Sequence, residues 1–404
     1  MSANPHHSRE RFSCSVALLA SLIAAGPALY PLWLAAASRR RPEPIIPEPA
    51  DWPDLAVVIA AYREREVIAA KVKDVFDNGY PGELEVVVVA EDPGTAREAR
   101  TAGAQVIEPA DRVGKSEAIN RGVAATAAPV IAITDADASL QRGSLAALAR
   151  WFEDPAVGAV AGEKQVLGSS QDLYWRYESM LKRAESRYGG TVAVAGELAA
   201  FRRSLFHPLP GDVIVDDLWL ALDVAAAGSS IRYEIEAVAR ESATTSLKRE
   251  WERRTRTTAG ALDTVRRRSS LLIPGRSPIA PQLWGHKVLR LLIGPLAHAL
   301  LLIRALLAAP RRRWAAAFVG LHAVGLMAIL RQARGDRPTA PERALGQALF
   351  LQATAVGGIV RYLRGERPAL WEKPERTASD ALPQTPERPV AAAGRRGETG
   401  TSGG

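Results

Sequence analysis

The chain has 404 residues, a net charge of +8, 47% hydrophobic residues and one cysteine. The lone Cys14 excludes an internal disulfide framework and a cysteine metal site. The excess positive charge clusters beside apolar runs, at Arg39 to Arg41 and Arg311 to Arg313, which favours an anionic membrane surface; with no basic stripe of interleaved aromatics, no nucleic-acid partner is expected.

A short N-terminal tail over 1–11 precedes an uncharged apolar run over 12–37. That run exceeds the roughly 20 residues that a bilayer crossing needs. A transmembrane helix is expected there, with Arg39, Arg40 and Arg41 on the inner side. A cleaved signal peptide is the competing reading, because Ala35-Ala36-Ala37 has the small residues of a cleavage site. Residues 38–54 are rich in proline and read as a stiff linker.

From Leu55 to Gly260 strand and helix patterns alternate. Leu55 to Ala61 and Leu84 to Ala90 are short, continuous apolar runs of the kind buried on both faces of a sheet. Between them lie a helix-favouring stretch from Arg63 to Asp77 and the turn cluster Asn78-Gly79-Tyr80-Pro81-Gly82. Gln105 to Ile107 reads as a third strand, Lys115 to Ala125 as a helix opened by Gly114, and Pro129 to Thr134 as a fourth strand running into Asp135. The alternation predicts an α/β fold with a mainly parallel, Rossmann-like sheet. Ligands of such sheets bind outside the carboxyl ends of the strands. Tyr62, Glu91, Asp92, Asp135 and Asp137 all fall just past a strand end, so one shared cleft is expected.

Residues 261–287 read as an interfacial connection. Three further apolar segments follow within 288–364: Val288 to Ala309, which carries Arg290 and Arg304; the short Trp314 to Leu330; and Ala344 to Val360, rich in small residues. Either all cross the membrane or one lies along its surface. Residues 365–404, rich from Thr377 onward in Pro, Gly, Ala, Ser and charge, read as a disordered tail.

Paired carboxylates at the mouth of a buried strand repel one another and are poorly solvated. A divalent cation resolves the conflict at Asp135-Ala136-Asp137, and hard oxygen ligands favour Mg2+ or Mn2+, which also take phosphate oxygens. Gly114-Lys115 at a helix N-terminus suits a phosphate. In Val215-Asp216-Asp217 a second acidic pair opens a helix, and a neighbouring like charge raises a carboxyl pKa toward that of a general base. Arg253-Arg254-Thr255-Arg256 opens a polar helix ending near Gly260, where arginines could clamp a diphosphate.

In order and spacing these motifs resemble the family-2 glycosyltransferases, in particular the membrane-bound branch of cellulose, chitin and hyaluronan synthases. Val58-Ile59-Ala60-Ala61-Tyr62-Arg63-Glu64 is similar to a strand ending in P-x-Y-N-E, with alanine for proline and Arg63 for asparagine. Gly114-Lys115-Ser116-Glu117-Ala118-Ile119-Asn120-Arg121-Gly122 resembles G-K-x-x-A-L-N-x-G, and Asp135-Ala136-Asp137 the metal-binding D-x-D. Gly196-Glu197-Leu198-Ala199-Ala200-Phe201-Arg202-Arg203 resembles an acceptor-side segment, and Asp216-Asp217 a pair whose second acid is the catalytic base.

The resemblance implies a glycosyltransferase A-type domain at 55–260 flanked by transmembrane helices. It implies an enzyme that moves a sugar, with inversion, from a nucleotide-diphosphate sugar, expected to be a UDP-sugar, to a hydroxyl on a glycan or lipid-linked acceptor. Tyr62, Glu64, Glu91 or Asp92, Lys115, Asp135, Arg254 and Arg256 would hold the nucleotide. Asp135 and Asp137 would hold the cation, Gly196, Glu197, Phe201 and Arg202 would face the acceptor, and Asp216 and Asp217 would do the chemistry. The enzyme would be multi-pass in the cell membrane, its catalytic domain facing the cytoplasm. The family's Q-x-x-R-W is altered here to Arg253-Arg254-Thr255-Arg256-Thr257, without the tryptophan expected to stack on the acceptor sugar. Transfer of one or a few sugars is therefore expected rather than long-chain synthesis. A polyprenyl-phosphate sugar synthase and a non-catalytic membrane scaffold are the alternative readings.

Overall fold

The computed structural model describes residues 5–42, 44, 46, 49–167, 172–242 and 246–366. The tail read from Thr377 onward lies outside the described residues. The centre of the fold is an eight-stranded sheet. Its strands are β1 (Leu55–Ala61), β2 (Leu84–Ala90), β3 (Gln105–Ile107), β4 (Val130–Ile133), β5 (Ser139–Leu140), β6 (Val157–Leu167), β7 (Ala199–Arg202) and β8 (Ser230–Ser242). They lie in the order β3-β2-β1-β4-β7-β6-β8-β5. The run β3-β2-β1-β4 is parallel throughout, β7 is antiparallel to both β4 and β6, and β6 and β8 are parallel to one another. The sheet is thus mixed but mostly parallel. The expected first four strands fall where the apolar runs lie; β6 opens on a further apolar run, Val157 to Gly162, outside the expected strands, while β8 carries charged residues among its apolar ones.

Each inner strand alternates between two cores. Leu55, Val57, Ile59 and Ala61 of β1 join Val86, Val88 and Ala90 of β2 under the helices that contain Ile68, Val72 and Ala96. Ala56 and Val58 face the other way, with Val87, against Ile119, Val123 and Leu218. Both faces of β1 are therefore buried, which is why its sequence is continuously apolar. On the second face the helix Lys115–Ala124 presses so close that a Cβ on Gly122 would collide with Cγ1 of Val58.

Among the described residues three helices are long and apolar enough to cross a membrane: Cys14–Ser38, Ala280–Ala308 and Arg313–Ala333. Leu18, Leu32, Leu300, Leu307, Leu321 and Met327 on them are exposed, an apolar belt that water would not tolerate at this size. The fourth apolar segment lies in the helix Ala340–Leu363, which packs along the helix Leu247–Arg267. Its small residues have a packing reason. A Cβ on Gly357 would lie 3.0 Å from Trp251 and Thr255, and one on Gly358 only 2.5 Å from Thr258.

A polar hub ties two of these helices to the sheet domain through the helix Asp172–Tyr188. The fully buried Glu185 accepts hydrogen bonds from the Tyr30 hydroxyl (2.7 Å) and the Thr191 hydroxyl (2.9 Å), and lies 2.9 Å from Nδ1 of His286. Glu178, one face further along, pairs with Arg290.

The tight helix–strand contact makes a prediction. Gly122→Ala forces Val58 to move within a dense core, which costs about 1–3 kcal/mol. The thermal unfolding midpoint of the variant should fall; an unchanged midpoint would mean the helix can retreat freely.

Candidate active site

The parallel strands bring their carboxyl ends to one edge, and the residues beyond them line a cleft of about 840 Å3. After β1 the chain turns at Arg63, whose φ of 55° is left-handed. Asparagine adopts that conformation at less cost than arginine, which is a physical reason for the asparagine that the resembled motif favours here. The turn is held by the Arg63 N–H, which donates to Oδ2 of Asp92 at 2.8 Å. Asp92 also caps the helix Pro93–Thr101 through the N–H and hydroxyl of Thr95. Burial opposes its ionisation, yet these hydrogen bonds hold its carboxyl below the ordinary value.

Asp92 is thus occupied by its own loop and does not line the cleft, contrary to its inclusion among the nucleotide-contacting candidates; Glu91 does line it. Glu91 accepts from the Gly114 N–H at 2.9 Å and lies 3.6 Å from Nε of Arg112. The Arg112 guanidinium stands 4.1 Å from the centre of the Tyr62 ring. Tyr62, Glu64 and Glu91 together form one end of the cleft.

At the centre, Lys115 reaches into a ring of acids. Its ammonium is 2.9 Å from Asp135 and 3.4 Å from Asp216. Protein atoms surround it, but the open mouth leaves its side chain 40% exposed. Burial alone would lower its pKa; Asp135, Asp216 and Asp217 outweigh that and hold it well above the ordinary value. Burial pushes Asp135 up to about 7 in spite of Lys115, and Asp137 and Glu197 push the same way. Asp217 is also pushed up to about 7, first by burial and then by Asp216. It starts the helix Asp216–Ala226 and accepts from the Leu218 N–H at 2.6 Å.

Gly196 marks where these groups meet. A Cβ built there would lie 3.5 Å from Nζ of Lys115, 3.7 Å from Oδ2 of Asp217 and 3.9 Å from Oδ2 of Asp135. The absent side chain leaves a space bordered by one ammonium and two carboxylates.

The donor set fits a hard dication. Asp135 and Asp137 supply oxygens, and burial, with Asp137 and Glu197 beside it, raises the Asp135 carboxyl despite Lys115, so a bound cation would favour its ionised form. Among the described residues no three His, Cys, Asp or Glu side chains group into a complete metal site. The remaining ligands would have to be phosphate oxygens or water, the usual arrangement for Mg2+ and Mn2+ at phosphate sites.

Behind this turn lies a residue that pattern reading missed. Lys71, on the helix Ile68–Phe76, is fully buried. Its ammonium donates to the Thr134 hydroxyl (3.0 Å) and the Ala138 carbonyl (2.6 Å), the residues that bracket Asp135-Ala136-Asp137. Thr134 in turn donates to the Glu197 carbonyl at 2.7 Å. Only the unusual lysine at an inward-facing helical position could have flagged it.

On the acceptor side the structure corrects several expectations. Gly196 and Glu197 line the cleft, but Phe201 and Arg202 do not. Phe201 sits in β7 with its ring in the core, 2% exposed, and the Arg202 guanidinium is spent on the carbonyls of Phe152, Asp154 and Val157. Glu197 is ion-paired with the buried Lys164, which holds its carboxyl near 2 against the effect of burial. The arginine helix does not end near Gly260. It runs from Leu247 to Arg267, and Gly260 lets it touch the loop before Asp216, since a Cβ there would lie 2.7 Å from Ile214 and Val215. Arg254 and Arg256 line the cleft, Arg254 held by Glu250 at 2.5 Å. Trp251 of the same helix packs on Phe350 instead of facing the cleft. Tyr174 and Trp175, from a helix with no recognised motif, line it in its place.

A family model described as "Glycosyltransferase like family 2" matches residues 53–260. An N-acetylglucosaminyltransferase of Rhizobium meliloti (strain 1021) is 27% identical over 226 residues, which cover 48% of this chain and 52% of the relative. A probable glycosyltransferase of Bacillus subtilis (strain 168) is 25% identical over 232 residues, 52% of this chain and 55% of its own. The chain therefore spans about half the length of the curated relatives it matches. Among solved structures, a mannosyltransferase of Pyrobaculum calidifontis in complex with GDP-Man and Mn2+ superposes with a TM-score of 0.72 and 26% identity, over 87% of this chain and 99% of that one.

Lys71→Met removes the donor that ties Thr134 to Ala138 and leaves a buried carbonyl unpaired, at about 1–3 kcal/mol. The concentration of Mn2+ needed for half-maximal nucleotide binding, read by calorimetry, should rise several-fold. An unchanged Mn2+ requirement would show that the turn holds its shape unaided.

Proposed function

The chain belongs to glycosyltransferase family 2, and we propose that it is a membrane-bound enzyme transferring a sugar from a nucleotide-diphosphate sugar to a glycan or lipid-linked hydroxyl, with inversion. The observation that carries this reading is the convergence of Lys115, Asp135 and Asp217 around the side-chain-free Gly196. No single motif supplies that geometry.

In this reading Tyr62, Glu64 and Glu91 hold the nucleoside, with Arg112 fixing the Tyr62 ring. Lys115, Arg254 and Arg256 face the diphosphate as fixed positive charges. Asp135 and Asp137 would hold a divalent cation, Mg2+ or Mn2+, which when bound offsets charge on the departing diphosphate. Asp217 takes the proton from the acceptor hydroxyl, whose oxygen attacks the anomeric carbon from the face opposite the nucleotide. Asp216 keeps Lys115 in place at 3.4 Å and, as a like charge, favours proton uptake by Asp217. Trp175 takes the stacking role on the acceptor side that the altered arginine segment lacks.

The Pyrobaculum neighbour carries GDP-Man, and the Rhizobium relative is an N-acetylglucosaminyltransferase, so the donor is to be found with a panel that includes UDP- and GDP-sugars. The sheet domain attaches at the end of the first apolar helix that carries Arg39 to Arg41, and the third ends in Arg331 and Arg334. By the positive-inside tendency Arg39 to Arg41, Arg331 and Arg334 favour the cytoplasm for that side, against Arg311 to Arg313 at the opposite turn.

With the matching donor, Asp217→Asn should keep nucleotide binding and lower turnover by about 10²–10⁴-fold; full turnover would remove Asp217 from the role of base. Asp137→Ala should weaken cation-dependent nucleotide binding, and a Mn2+-dependent gain in affinity as large as that of the unsubstituted chain would remove Asp137 from the cation site. A base must be unprotonated to act. With its carboxyl at about 7, transfer should therefore rise with pH through about 7 and level off above it, and the pH profile of initial rates checks this.

A further inference from the structure

One buried cation at the cleft has no part in the chemistry above. Lys164 lies in β6, only 6% exposed, and lines the cleft. Ala239 of β8 stands opposite it in the parallel ladder, so Glu241, two residues on, has its side chain on the same face. The Lys164 ammonium is ion-paired with Glu241 and also with Glu197, which comes just before β7, the strand on the other edge of β6. It stands 5.3 Å from the centre of the Trp175 ring.

These contacts gather four elements at one point: β6, β8, the segment before β7 and the helix Asp172–Tyr188. Trp175, Glu197 and Glu241 all line the cleft. Tyr174 packs edge-on against the Trp175 ring at 5.2 Å, so Lys164 is one of two side chains that fix the indole. The main chain of Glu197 is held separately by the Thr134 hydroxyl, which leaves its carboxylate to Lys164. Burial opposes the charge of Lys164, and Glu197 and Glu241 outweigh that. A buried ion pair adds little to stability over an apolar filling of the same volume, so the retained charge points to a use.

An indole beside two carboxylates suits a sugar ring. The C–H face of the sugar packs on the aromatic surface, and its hydroxyls donate to carboxylate oxygens in charge-assisted hydrogen bonds. A hydrocarbon chain laid there would strip water from the carboxylates and return no hydrogen bond. Glu197 directly follows Gly196, so this wall borders the space beside Asp217 where an acceptor hydroxyl would enter. We infer that Lys164 is a positioning residue, which assembles Trp175, Glu197 and Glu241 into a subsite for a sugar ring of the acceptor. This rests on the glycosyltransferase reading above and narrows its acceptor to one that presents a sugar.

The test uses the full chain in phosphatidylcholine vesicles with saturating Mn2+ and a panel of labelled nucleotide sugars. One arm titrates soluble cello- and chito-oligosaccharides, and a second holds undecaprenyl phosphate. The oligosaccharides should accelerate release of nucleoside diphosphate and take up label. Lys164→Met should raise the KM for the oligosaccharide about tenfold or more, the loss of one hydrogen bond to a charged group. Its kcat should be nearly unchanged and its nucleotide binding by calorimetry should persist, and Lys164→Arg should restore most of the KM. Trp175→Ala, at a partly exposed site on another element, should raise the same KM and keeps the test open if Lys164→Met fails to fold. Release that neither oligosaccharide accelerates, label only on the lipid phosphate, an unmoved KM, or a loss of nucleotide affinity in its place would overturn this inference alone. No release from any donor in either arm would overturn the glycosyltransferase reading with it.

Discussion

The arrangement of this molecule turns on an electrostatic imbalance. Asp135, Asp137, Asp216, Asp217 and Glu197 all face one cleft, and Lys115 is set among Asp135, Asp216 and Asp217. Like charges brought together out of water resist ionisation, and the raised Asp135 and Asp217 record that resistance. A fold retains such a cluster at the expense of stability. The cluster makes sense when a cation and a charged substrate complete it, since each then meets groups whose repulsion it relieves.

Holding the acids in register takes devices remote from them. Lys71 clamps the turn of Asp135 and Asp137 from below by bonding to the residues on either side. Gly260 lets the arginine helix lie against Ile214 and Val215, one step before Asp216. Asp92, spent on its own loop, fixes the left-handed turn at Arg63 that presents Tyr62. None of these touches the space around Gly196, yet each sets the position of something that does. The same logic extends to the apolar helices. Glu185 binds Tyr30 of the first and lies against His286 of the second, so the sheet domain and two of its apolar helices meet at a satisfied buried polar group.

The legible part of the site was the part carried by short local patterns. A buried strand ending in carboxylates, a glycine before a helix with a lysine, and an acidic pair opening a helix each state a position in the fold by themselves. Tyr62, Glu91, Lys115, Asp135, Asp137, Asp216 and Asp217 were read in that way, Glu64 from the resembled motif, and all line one cleft. Phe201 and Arg202 were read from motif adjacency, and strand geometry turned them away. Successive residues of β7 point to opposite faces, so nearness to Gly196 in the chain did not carry them into the cleft.

What the sequence by itself determined is the set of apolar runs and the acids beyond them, because period and polarity are local properties of the chain. The β1–β4 core, the cleft edge and the apolar helices follow from these. What only the tertiary structure decided is which distant residues share a space. β8 is polar enough to escape pattern reading, and register with β6 makes it a strand. Lys71, Lys164 and Trp175 reach the site through long-range packing, which no window of sequence reports. Glu91 and Asp92 part in the same way: one carboxylate, Asp92, is taken up by a helix cap and a neighbouring turn, and the other faces the cleft.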